Sequence, residues 1–472
     1  MPQRDLYSLS VFGWILCIWV LVVCFQYGYH ISTLNQIQAV LTCRTTDNDG
    51  GFEYGLPHCI PMSDATFSAV TAVFTVGGLL GSLSSKYVVD RFGRKGAVIC
   101  NSVLVAMGSG LMGISASVAP LMFGRILTGA GAGIGLCVGP IFLSEIAPAK
   151  LKGTIGVLTQ FAIVIGILVT QALGMQMASP PYWRLVFMFS FALSALQLVV
   201  SPLMVDTPTS LKRKGDPRLR SVIAKLWTIG SPKGWDATPI ETEHTLLNGR
   251  DRDDVEDFEE PAEERESDIE RPPVSILQVF KAPELRRPLS VVCFAMLTQQ
   301  LSGSTVLYYS NDILSKSLPE LGPYVSLGIT VVNVVMTFPP IFLIERLGRK
   351  TLLYASVAGT LASLYLVGLG LDMGAVALAS VVVMTFIASF AIGIGPVPFV
   401  IIPEVSPSHA VSSLSLIALS LNWISNFFVG LIFLPLRNIL SGGDPSKEGK
   451  IFYVFTALLF VSAIGLFRSY KG

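Results

Sequence analysis

The sequence predicts an all-α membrane protein of twelve helices arranged as two six-helix bundles. Three observations predict it. The composition is too apolar for a water-facing surface, stretches near twenty apolar residues recur, and a pair of short basic motifs divides the chain into two related halves. Of 472 residues, 51% are hydrophobic and only 14% charged, where soluble domains carry about 25% charged residues. The net charge of +1 leaves no bulk field that would attract nucleic acid.

The apolar stretches fall at 11–33, 66–86, 97–115, 120–142, 154–175 and 183–203, then at 289–314, 323–345, 352–371, 375–402, 411–435 and 450–468. Each is long enough to cross about 30 Å of hydrocarbon as a helix. Residues 11–33 are too long, and too polar at their end, for a cleaved signal peptide. Basic residues set the expected orientation. Lys86, Arg91, Arg94 and Lys95 follow the second span, Lys150 and Lys152 the fourth, and Arg346, Arg349 and Lys350 the eighth, whereas the opposite loops are sparser. Both termini and the central loop are therefore expected in the cytoplasm. Arg437, Lys447 and Lys450, before the last span, run against this rule.

Seven cysteines are present. Cys17, Cys24, Cys100, Cys137 and Cys293 lie in apolar spans and read as buried small side chains. Cys43 and Cys59 share the long loop after the first span, where an oxidising face would allow a disulfide. No metal-ligand cluster or nucleophile–base arrangement suggests itself; the four histidines, at 30, 58, 244 and 409, are scattered. Neither an enzyme nor a cofactor or metal protein is expected.

The domain reading is residues 1–203 as the first bundle, 204–288 as a linker and 289–472 as the second bundle. Residues 207–229 mix basic and apolar positions and read as short surface helices. Residues 251–270 hold twelve acidic and two basic residues, too charged to bury a core, and read as a disordered tether.

The repeat is explicit. Asp90-Arg91-Phe92-Gly93-Arg94-Lys95 returns as Glu345-Arg346-Leu347-Gly348-Arg349-Lys350, each following the second span of its half. Glu145-Ile146-Ala147-Pro148 returns as Glu404-Val405-Ser406-Pro407, each following the fourth. Two echoes in the same order with nearly the same offset argue for duplication. The glycine suits a tight reversal. The arginines can pair with the glutamates at neighbouring span ends, so Arg91, Arg94, Glu145, Lys152, Glu345, Arg346, Arg349 and Glu404 are candidate gate residues.

Other segments carry a resemblance. They are Gln26-Tyr27-Gly28-Tyr29, Gly124-Arg125, the run from Gln160 to Gln171, Gln299-Gln300-Leu301-Ser302-Gly303 with Tyr308-Tyr309, Gly395-Pro396-Val397-Pro398, and Asn422-Trp423 with Asn426. Together with the hexapeptides they resemble the sugar porter family of the major facilitator superfamily, and within it the hexose facilitators, over almost all of both membrane halves. The resemblance implies a major facilitator fold and alternating access to a site near the midplane, between the halves. It places sugar at Gln160, Gln299, Gln300 and Asn333, and aromatic contacts at Tyr308, Tyr309, Phe390 and Phe399. The residue chemistry agrees. A sugar is a ring of hydroxyls, and an uncharged amide offers both donor and acceptor. Gln26, Gln171, Asn422 and Asn426 add further amides at membrane depth, where each needs a partner or the interior.

Departures from the family pattern bear on specificity and gating. Thr305 stands where the family has Asn, Ala391 where it has Glu, Phe399 where it usually has Trp, and Lys152 where it has Arg. The arginines expected near Thr209 and at Val411 are missing, so a weaker inner gate is expected. Coupling turns on His30, the position where proton-driven members carry Asp; no Asp or Glu occurs between Asp5 and Asp47. Passive facilitation follows by default. His30 with Arg125 as an unusual proton site, and a non-transporting sensor of the same fold, stay open. The expected partners are a small sugar and the lipid bilayer, with no nucleic acid and a monomeric working unit, in the plasma membrane or an organellar (for example vacuolar) membrane.

Overall fold

The computed structural model describes residues 7–44, 52–53, 55–148, 151–180, 182–229, 274–317, 322–407, 409–442, 444 and 447–470. The acidic stretch 251–270 lies outside the described residues.

The first half begins with a short strand, β1 (Tyr7–Leu9), and the helix α1 (Val11–Ser32). Ser10 caps α1 by accepting from the Gly13 amide, which satisfies a donor that the first turn cannot. A single turn, α2 (Gln38–Leu41), and a small hairpin of β2 (Phe52–Glu53) and β3 (Leu56–Pro57) follow. Then come α3 (Asp64–Gly113), α4 (Val118–Ile146), α5 (Lys152–Gln176) and α6 (Trp183–Val200). The spans expected at 66–86 and 97–115 form one element, because α3 turns sharply at Gly93 without losing its helical flanks.

Past α6 the chain forms two of the expected short helices, α7 (Pro208–Lys214) and α8 (Leu219–Leu226), and then β4 (Trp227–Ile229). β4 pairs antiparallel with β1, Leu9 opposite Trp227. This ribbon was not expected, since its strands are three residues each and more than two hundred residues apart in the chain. On the far side of the linker, α9 (Ile276–Lys281) opens with a complete capping box between Ser275 and Gln278.

The second half is α10 (Arg286–Ser317), α11 (Gly322–Met336), α12 (Pro339–Leu347), α13 (Arg349–Asp372), α14 (Val376–Ile392), α15 (Val397–Val405), α16 (Val411–Ser441) and α17 (Lys450–Ser469). Two expected spans are broken. Residues 323–345 divide between α11 and α12, and residues 375–402 between α14 and α15. Pro339 and Pro340, and Pro396 and Pro398, lack the backbone N–H that a continuous helix uses. Nine helices among the described residues are each long and apolar enough to cross a bilayer. Counting α3 as two crossings and joining the broken pairs, helices cover all twelve expected spans.

The two motif glycines have the same backbone geometry: Gly93 at φ 80° and Gly348 at φ 78°. A side chain would be strained there, so the repeat seen in sequence is also a repeat in conformation. These turns mark one end of the molecule, here the basic face.

The apolar core is arranged unevenly. At the face opposite the basic motifs, one continuous cluster runs through both halves, from Tyr29, Leu34 and Phe67 to Ile329, Phe386 and Phe433. Toward the basic face, the first half has its own cluster around Leu16, Phe142 and Leu226, and the second half another around Leu353 and Ile401. The halves are therefore joined most extensively at the opposite face.

Candidate substrate site and gates

The first half builds a polar network around α1. Gln26 lies buried against α6, and its amide donates to the Ser190 carbonyl at 3.1 Å and the Ser194 hydroxyl at 3.0 Å. Ser190 Oγ in turn donates to Gln26 Oε1 at 2.8 Å. The Ser190 hydrogen being used there, His30 Nε2, 2.7 Å from the same oxygen, serves as the donor, which assigns the tautomer from the network. His30 Nδ1 is buried and has no hydrogen-bond partner among the described residues. Arg125, on α4, donates to the His30 backbone carbonyl at 2.8 Å and lies over the Phe74 ring at 4.6 Å. The structure brings Arg125 to His30 through the backbone carbonyl of His30 and not through its ring. Gln171 donates to Ser32 Oγ, while Gln160, on the same helix, is exposed.

The second half gathers four of the sequence-selected amides. Gln299 donates to the carbonyls of Gly395 at 2.6 Å and Ile394 at 3.2 Å. Those carbonyls are free for it because the break between α14 and α15 leaves them outside a helix. Gln300 Nε2 donates to Gln299 Oε1 at 3.2 Å, and Asn422 Nδ2 to the same oxygen at 3.3 Å. Asn426 Nδ2 continues the chain to Asn422 Oδ1 at 3.4 Å. Asn333 is buried on α11, and Phe399 is exposed on α15. Thr305 and Tyr308 fall on α10, Lys152 on α5 and Glu345 on α12, and their side chains lie outside the described residues.

Beside Asn422, Trp423 crosses from the second half into the first. Its indole donates to Ser82 Oγ at 2.8 Å. Its ring meets Tyr27 and Phe74 edge-on, with centroids 5.9 and 6.1 Å apart. Gly78 makes the approach possible, since a Cβ there would come within 2.5 Å of the ring. Sequence reasoning had Trp423 only as part of a motif; the small residues Gly78 and Ser82, one helical turn apart, are the signal that could have located its seat. Toward the opposite face, Asn35 donates to Ser326 at 3.3 Å, Gln36 to the Pro323 carbonyl at 3.2 Å and Asn438 to Asp64 at 3.3 Å, each bond joining one half to the other. A disulfide joins Cys43 to Cys59, and Arg44 pairs with Asp64.

At the basic face, Arg94 Nη2 is 3.0 Å from Glu145 Oε1 and Arg349 Nε is 2.8 Å from Glu404 Oε1. The two bridges occupy matching positions, and each ties spans within its own half. Glu145 also accepts from Thr207 Oγ1, and Lys95 reaches Asp206 through its amide and the Met204 carbonyl through Nζ. The indole of Trp227 donates to the Ile146 carbonyl at 3.0 Å, one of the acceptors left open at the end of α4. On the other half, burial and the Glu404 carboxylate push the Tyr470 phenol above its ordinary value, against the pull of Arg349. Arg91 and Arg346 are exposed.

Comparison with known proteins accords with this architecture. The profile of the family described as "Sugar (and other) transporter" matches residues 16–470. A probable metabolite transport protein of Saccharomyces cerevisiae is 30% identical over 456 residues, covering 94% of this chain and 88% of its own. Facilitated glucose transporter member 3 of solute carrier family 2 from Ovis aries is 30% identical over 460 residues, covering 93% and 85%. Among solved structures, the xylose transporter XylE of E. coli in a partially occluded inward-open conformation superimposes with a TM-score of 0.68 at 18% identity, over 98% of this chain and 100% of that one. With a profile matched from the first span to the last, the chain belongs to the sugar (and other) transporter family, the sugar porters of the major facilitator superfamily.

Proposed function

We propose that this protein carries a hexose across a membrane by alternating access, as a passive facilitator. The observation that carries the reading is the chain of amides Gln300–Gln299–Asn422–Asn426. It offers paired donors and acceptors and no formal charge, which suits a neutral polyol. Gln160 and Asn333, with Thr305, Tyr308 and Phe399, complete the proposed contacts. Gln26 supports α1 from behind, being occupied by Ser190 and Ser194. The 30% identity to facilitated glucose transporters supports a passive hexose mode; the proton:xylose symporter among the structural neighbours, at 17% identity, bears on the fold alone.

The bundles rock about the interface centred on Trp423, and the basic face is cytoplasmic. There the Arg94–Glu145 and Arg349–Glu404 pairs hold each half's inner ends as rigid units, with Arg91, Lys152, Glu345 and Arg346 as further members of the gate. The working unit is a monomer.

One observation favours a second reading, proton coupling. The buried, unpartnered His30 Nδ1 is a basic nitrogen that could take a proton. The Arg125 guanidinium beside it opposes a second positive charge. Uptake of labelled hexoses into proteoliposomes, with and without a pH gradient and an uncoupler, separates the two. Uptake that stops at equilibrium and ignores the gradient is the expected result. Accumulation above equilibrium that His30→Ala abolishes would establish coupling, and no uptake of any hexose would favour a sensor.

A further inference from the structure

At the basic face, a groove of about 390 Å³ lies between the start of α10 and the end of α17, lined by Arg286, Arg287, Ser290, Arg468 and Ser469. Arg287 Nε reaches the Ser469 carbonyl at 3.5 Å and closes one side of it. All three guanidiniums are exposed. Other arginines of this face are committed to carboxylates: Arg94 to Glu145, Arg218 to Asp216 and Arg349 to Glu404. Arg286, Arg287 and Arg468 have no such ion pair among the described residues. Three like charges converging on one groove repel one another unless an anion joins them.

The surface leading to the groove is apolar. Val461, Ile464 and Arg468 follow one another at helical spacing on one face of α17, and Val461 and Ile464 are exposed, as is neighbouring Phe460. In a membrane protein this stripe faces hydrocarbon. Arg468, four residues beyond Ile464, sits where hydrocarbon gives way to headgroups. A ligand matching both features carries an anionic phosphate on an acyl tail. Forked guanidiniums suit phosphate oxygens, and basic pockets between spans on the cytoplasmic side are suited to anionic lipid.

We propose that the groove holds the phosphate of an anionic phospholipid whose acyl chains lie along the Val461–Ile464 stripe, so that the lipid bridges α10 and α17. The proposal rests on the membrane placement of these helices and not on the identity of the sugar. Because α10 also carries Gln299 and Gln300, the lipid would steady the base of the helix that presents them.

The test is native mass spectrometry of the full chain released from detergent, titrated with phosphatidylglycerol, with phosphatidylcholine of the same chain length, and with glycerol phosphate. The expected result is preferential retention of phosphatidylglycerol, lowered about tenfold or more in R286Q/R287Q/R468Q and largely preserved in R286K/R287K/R468K. Glycerol phosphate at millimolar concentration should not displace the lipid. Equal retention of both lipids by the native chain, equal retention by the glutamine variant, or displacement by glycerol phosphate would each overturn the proposal. If the glutamine variant fails to fold, R468Q with the lysine variant supplies the same comparison. Hexose uptake in phosphatidylcholine vesicles should be unchanged by R468Q, which separates failure of this site from failure of the transport reading.

Discussion

Gln299 shows how one side chain organises the amide chain. It donates to two carbonyls freed by the break after α14 and accepts from both Gln300 and Asn422. Leucine at this position would leave those groups without partners, at about 1–3 kcal/mol for a buried set. Gln299→Leu is therefore expected to reduce hexose uptake at least about tenfold, measured as initial rates in proteoliposomes with the thermal midpoint recorded alongside. An unchanged rate would remove Gln299 from the proposed contacts. These amides were legible in the sequence because polar groups are expensive in hydrocarbon and so are few. Their partners were not, because Asn422 and Gln299 are 123 residues apart.

Helices and strands set how the proposed gates are held. The ribbon of β1 and β4 places Trp227 against the end of α4, one residue beyond Glu145. Trp227→Phe keeps an aromatic ring and loses the indole donor, a change worth ~1 kcal/mol. The expected outcome is a drop of about fivefold in transport rate with little change in KM, non-additive with Glu145→Gln. Fully additive effects would show that the ribbon does not act through Glu145. The seat of Trp423 on α3 gives a second prediction. Gly78→Ala would push α3 and α16 apart, since its Cβ would lie 2.5 Å from the indole. Maleimide labelling of a cysteine placed at Ser326 should then rise, because the adjoining contacts at the opposite face loosen. No change in labelling would show that the interface absorbs the methyl group elsewhere. Twelve apolar stretches made the spans legible, but the proline breaks in the eighth and tenth were read through, since hydropathy does not register a missing N–H.

Across the whole molecule, the halves share one apolar core at the face opposite the basic motifs and keep separate cores toward the basic face. The bonds Asn35–Ser326, Gln36–Pro323 and Asn438–Asp64 lie on the shared side. The disulfide joins Cys43 to Cys59 at a sequence separation of 16, and Arg44, the first residue it encloses, pairs with Asp64. Replacing both cysteines by serine should cost about 3 kcal/mol by loop entropy, read as a lower thermal midpoint in detergent. Dithiothreitol should lower the native chain's midpoint similarly and leave the variant unmoved. Equal midpoints for variant and native chain would show that the loop is held without the bridge.

The spans, the duplication and the amide inventory are properties of short stretches, and the sequence by itself determined them. A membrane helix satisfies its backbone internally, so its existence depends on its own twenty residues, and a turn such as Gly93 or Gly348 depends on one. Which amides meet, where Trp423 seats, that each arginine–glutamate bridge stays within its half, and which face the halves share were decided only by tertiary structure. Those outcomes depend on the packing of surfaces hundreds of residues apart, and no local pattern records which surface meets which.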